Sequence, residues 1–188
     1  MKNFIAALLF FSCFISTAQS AYKTEKAKII FDAGKSLEPI HAENNQGKIV
    51  IRLSDNEVAA LIPVKKFLFS NALMQQHFNE NYLETDEFPK ATFEGNIQDL
   101  DVNNLTEEAT KHMLEGVFKI HGVAKNRKIA VWLSKFPDGN IELYSNFTVQ
   151  LKDHDIKIPK LVFVKIADEA KVELKGKLKM VEFLAGTE

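Results

Sequence analysis

Lys171-Val172-Glu173-Leu174-Lys175-Gly176-Lys177-Leu178-Lys179-Met180 is the stretch on which the architecture turns. Val172, Leu174, Gly176, Leu178 and Met180 fall on one side of an extended chain, and Lys171, Glu173, Lys175, Lys177 and Lys179 on the other. Successive side chains of a strand point to opposite faces, so this period of two predicts a strand with one dry face and one wet face.

Upstream the pattern repeats. In Ile141 to Leu151, Ile141, Leu143, Phe147, Val149 and Leu151 face inward and Glu142, Tyr144, Asn146, Thr148 and Gln150 outward. Lys128 to Phe136 reads as its hairpin partner across Pro137-Asp138-Gly139-Asn140, where proline presets φ and glycine accepts a positive one. Shorter strands are predicted at Ala27 to Phe31, Lys48 to Leu53, Glu57 to Val64, Thr92 to Gln98, His112 to Val123 and Leu161 to Ile166. Short connections favour antiparallel neighbours.

One segment breaks the rhythm. Asn71 can cap a helix over Ala72 to Phe78, which holds good helix formers and no β-branched residue. Phe88-Pro89 then returns the chain to an extended path. Many strands, one short helix and no βαβ alternation predict an all-β fold: a single antiparallel β-barrel of about eight strands with one short helix. A barrel of that size is filled by side chains or holds one small ligand.

The amino terminus has a different character. Met1-Lys2-Asn3 carries one positive charge, Phe4 to Ile15 is almost wholly apolar, and Ser16 to Ala21 is small and polar. This is the pattern of a cleaved secretory leader, and the apolar run is shorter than the roughly 20 residues a membrane span needs. Ala18-x-Ser20 places cleavage after Ser20, giving a signal peptide over residues 1–20 and a barrel domain over 21–188, periplasmic or secreted, with no stable membrane span in the mature chain.

Cys13, the sole cysteine, leaves with the leader, so disulfides, thiol nucleophiles and thiolate metal sites are excluded from the mature chain. Lys and Arg number 24 against 25 Asp and Glu; Lys2 departs with the leader, so 23 face 25, a formal charge of −2. That balance argues against a nucleic-acid partner.

No catalytic constellation stands out. His41, His77, His112, His121 and His154 show neither HxxxH nor HxH spacing, and no phosphate loop, GxSxG elbow or HExxH is present. Asp153-His154-Asp155 reads as a polar turn, and Glu80 with Glu84 as a solvated helix end. Neither catalytic residue, metal site nor cofactor is expected.

Leu73 to Thr85, Phe88-Pro89-Lys90-Ala91-Thr92-Phe93-Glu94-Gly95, Leu114 to Val123 and Asp155-Ile156-Lys157-Ile158-Pro159 together resemble the YceI-like family of exported proteins over roughly the whole mature chain. The resemblance implies a lipocalin-like barrel with an elongated apolar cavity in which members hold a polyisoprenoid chain, and no shared catalytic residues. Ala27 to Asn45 lacks the His-Ser pair that many members carry, and the family's TIHGVT strand is here Lys119 to Ala124, as in a divergent branch.

The leading expectation is therefore a carrier for an isoprenoid or other long-chain lipid. By alternation, its inward residues are Ile62, Val64, Phe93, Ile97, Phe118, Ile120, Val131, Leu143, Phe147, Val149, Val172, Leu174 and Leu178. A second reading is a ligand-free envelope stress or interaction protein whose barrel is closed by large side chains. A third is an enzyme using His77, His121 or His154 as base. The oligomeric state stays open, a homodimer among the options.

Overall fold

The alternation of Lys171–Met180 is realised inside a longer strand. In a computed structural model describing residues 18–34, 40–158 and 166–184, the chain forms β1 (Ala18–Gly34), β2 (His41–Arg52), β3 (Glu57–Pro63), β4 (Leu68–Phe69), α1 (Ala72–His77), β5 (Lys90–Ile97), β6 (Thr110–Ile120), β7 (Val123–Lys135), β8 (Ile141–Gln150) and β9 (Ile166–Leu184). Neighbours run in the order β1-β9-β8-β7-β6-β5-β3-β2, and β2 pairs back onto β1. Every pairing in this circuit is antiparallel, so eight strands close a barrel and leave no open edge. The two-residue β4 adds to β2 through Ala42–Phe69 and Glu43–Leu68.

Three local expectations need correction. The stretch His112 to Val123 is not one strand: His121 and Gly122 have φ of 50° and 75° and reverse the chain between β6 and β7. A two-residue hairpin loop with positive φ at both positions matches the twist of its strands. Met180, read as inward, is half exposed beyond the filled end of the barrel. β1 is far longer than Ala27 to Phe31, because register shifts between Thr24 and Ile29 disturb the period of two that would have revealed it.

Of the strand expected at Leu161 to Ile166 only Ile166 lies among the described residues, and of the leader only its last three positions do. β1 already pairs at Ala18, and the Ser20 carbonyl accepts the Leu53 amide at 3.0 Å.

The helix forms where expected. Asn71 Oδ1 accepts the amides of Leu73 at 2.9 Å and Met74 at 3.2 Å, which satisfies two of the free donors of the first turn. After His77 the coil widens into one π turn, Phe78–Tyr82, closed by the Leu83 amide on the Phe78 carbonyl. Among the described residues no helix is long and apolar enough to cross a membrane.

One half of the barrel is solid. Tyr22, Ile51, Val58, Leu133, Ile141 and Leu178 are each 2% exposed or less and fill the end where β3, β6 and β8 begin. The backbones of β5 and β6 approach closely where Gly95 faces Gly116, and a Cβ on either would lie 2.2 Å from a carbonyl oxygen of the facing strand.

Candidate functional site

The other half of the barrel is hollow. A cavity of about 350 Å³ lies between the ends of β1, β3, β6 and β8 and the starts of β5 and β9. Its wall includes Ile29, Phe31 and Ala33 of β1, Ile62 of β3, Ala91 of β5, Phe118 and Ile120 of β6, Phe147 and Val149 of β8, and Ala170, Val172 and Leu174 of β9. Each strand contributes alternate residues, as one face of a pleat must.

The segment from Val64 to Leu83 roofs this end. Phe67, Phe69 and Phe78 descend onto Phe31, with ring centroids 5.1, 5.7 and 5.4 Å from it, and Phe69 and Phe78 meet at 5.0 Å. Edge-to-face and stacked pairs of this kind add about 0.5–1.5 kcal/mol each beyond their burial. They fasten a helix of six residues that is too short to be stable alone.

The wall is almost free of hydrogen-bonding groups. Among the described residues, its only side chains with nitrogen or oxygen are Asn71, His77 and Tyr82, all from the roof. Asn71 spends its carbonyl oxygen on the helix cap, and burial pushes the Tyr82 phenol up from its ordinary value. Such a space favours an apolar occupant, at roughly 25 cal/mol for each Å² taken out of water.

Ile62, Val64, Phe118, Ile120, Phe147, Val149, Val172 and Leu174, all named from alternation, lie on this wall. Phe93, Ile97, Val131, Leu143 and Leu178 are also inward and buried but pack into the core away from it. Alternation reports the face of a strand and not the height along the barrel axis. The reading missed Ile29, Phe31, Ala33 and the roof phenylalanines. An Ile-x-Phe-x-Ala alternation in β1 and the Phe67-x-Phe69 pair were the available signals.

Beside the roof, three loops meet on two histidines. His121 Nδ1 lies 3.0 Å from the His154 carbonyl oxygen and Nε2 lies 2.8 Å from Glu84 Oε2, both within hydrogen-bond distance. Phe88 packs edge-on against the same ring at 4.7 Å. The Glu80–Glu84 helix end is thus more than a solvated charge pair, since Glu84 ties the roof's exit to the β6–β7 turn.

His154 is fully buried, with Nδ1 donating to the Val123 carbonyl at 3.1 Å and its ring edge-on to Phe118 at 5.4 Å. Burial holds it below the ordinary histidine value, so it is neutral. Asp153-His154-Asp155 is the expected turn, but its histidine points into the core. Of the three histidines considered as bases, His77 lies on the cavity wall, His121 borders a separate polar depression, and His154 lines neither. Among the described residues no group of three or more His, Cys, Asp or Glu is placed to hold a metal ion.

The fold is shared with solved proteins. It is similar to a polyisoprenoid binding domain from Saccharophagus degradans, with 11% identity and a TM-score of 0.69 over 87% of this chain and 98% of that one. BcnA of Burkholderia cenocepacia aligns with 13% identity and a TM-score of 0.65 over 82% and 96%. A YceI protein of Campylobacter jejuni aligns with 15% identity and a TM-score of 0.55 over 81% and 89%. No curated protein matches in sequence. The model of the YceI-like domain matches residues 21–178, which take in part or all of every strand of the barrel circuit, and the chain belongs to the YceI-like family.

Proposed function

We propose that this protein is an exported carrier that encloses a long apolar molecule of isoprenoid type in the hollow half of its barrel. The observation that carries this is the wall: among the described residues every strand residue on it is apolar, and the polar side chains sit on the roof. A volume of about 350 Å³ falls within the range of ligand sites, roughly 300–1,000 Å³. The polyisoprenoid binding of the Saccharophagus degradans domain supports the isoprenoid class. No cofactor, metal or nucleic acid enters this reading, and binding rather than catalysis is its business.

Mass spectrometry of protein gently purified from its own host tests it. A long-chain lipid retained in repeated preparations is the expected result. Lipid-free preparations that also take up no isoprenoid in vitro would sink the proposal. A ligand-free interaction barrel, the competing reading, needs a filled interior, and the cavity speaks against it.

Export belongs to the same proposal and rests on the leader-like residues 1–20. Periplasmic or secreted protein beginning at Ala21 is expected from N-terminal sequencing. Retention of residues 1–20 in protein from the host would contradict it.

A further inference from the structure

A second depression, of about 630 Å³, adjoins the apolar cavity, and Tyr82 belongs to both walls. An amphipathic ligand with its tail in the first space therefore has a polar space waiting on the far side of one ring. The two differ in chemistry. Where the cavity wall is apolar, the depression presents Asn81, Glu84, Glu87, Asp155 and Lys157.

Its charges are unbalanced. Glu84 is tied to the His121 ring, and among the described residues Glu87 and Asp155 face one ammonium, Lys157. The nearby Asp86 is met by Lys65 at 2.5 Å and leaves the imbalance in place. Carboxylates accept hydrogen bonds and donate none. They reward a head that donates, and they repel one that carries negative charge.

Building on the carrier reading, we propose that this depression receives the ligand's head group, and that the head is a hydrogen-bond donor without negative charge. A long-chain alcohol, phenol or amine fits it, and a phosphorylated or carboxylated lipid does not. The tail supplies most of the affinity, and the depression supplies selection among lipids that share the same tail.

The test uses three probes on the mature protein: geranylgeraniol, geranylgeranyl diphosphate and the headless hydrocarbon squalane, each displacing an apolar fluorescent dye from the cavity. The alcohol should bind at least about ten-fold more tightly than the diphosphate. In a Glu87→Lys, Asp155→Asn double variant that preference should shrink by about ten-fold. Asparagine is chosen because residue 155 has φ 55°, which it tolerates.

Equal or tighter binding of the diphosphate, or a preference that the double variant leaves unchanged, overturns the charge argument. Squalane binding as well as the alcohol shows that the head is not held, while the cavity reading stands. If none of the three displaces the dye, the carrier reading falls and the head-group site with it.

Discussion

Phe88 lies so close to Gly122 that a Cβ at residue 122 would sit 2.7 Å from its Cε1. Gly122 is also the residue at φ 75° in the β6–β7 turn, a conformation that an L side chain adopts at a cost. Two independent penalties thus meet at one position. Gly122→Ala is expected to destabilise the fold by about 2 kcal/mol or more. Urea denaturation monitored by circular dichroism measures this, and an unchanged midpoint would show that the ring moves aside freely.

His154 gives the fold a pH dependence with a definite sign. Burial lowers its folded value below 6.5; Arg127 and Lys125 push the same way, and Asp153 and the bond to Val123 push back. The unfolded chain therefore binds this proton first. The stability it contributes is complete above about pH 6.5 and is lost as pH falls through the lower folded value. The melting temperature should decline with acidification in that window. His154→Phe should lower stability at neutral pH, by loss of the bond to Val123, and should flatten the slope. A slope of wild-type steepness in the variant would assign it to other groups.

Tyr22 carries its hydroxyl into the filled end of the barrel, fully buried and without a hydrogen-bond partner among the described residues. Burial also pushes the phenol up from its ordinary value. Removing an unsatisfied polar atom while keeping the ring should stabilise, so Tyr22→Phe is expected to gain about 1 kcal/mol. A loss of stability in chemical denaturation would reveal a partner for the hydroxyl.

The two halves of the barrel should respond differently to truncation. Leu143→Ala in the solid half opens a new void and should cost about 2–5 kcal/mol. Leu174→Ala only enlarges a space that already exists and should cost less than about 2 kcal/mol. Val172→Trp should fill that space and abolish retention of lipid while the protein still melts cooperatively. Lipid retained at wild-type level by Val172→Trp would place the ligand elsewhere.

The family-like stretches show how local and non-local information divide. Phe88, His121-Gly122 and Asp155 come from three separate stretches, and the fold gathers them around one depression beside the roof. The Asn71 cap and the Pro137–Asn140 turn were readable because each is decided within a few residues. The His121–Glu84 tie spans 37 positions, and neither residue alone announces it.

Alternation alone determined that Lys171–Met180 and Ile141–Leu151 are strands and which side of each faces inward, because side-chain direction in a strand is a property of the pleat. It could not rank inward residues by height. Leu178 pairs with Ile141 in the solid half, whereas Val172 pairs with Phe147 beside the cavity, about 20 Å further along the same strand. That difference depends on how eight strands are staggered around the closed barrel, and on a roof that brings Phe67, Phe69 and Phe78 onto Phe31. Residues that the pleat makes equivalent become core or cavity wall only once the whole chain has closed around them.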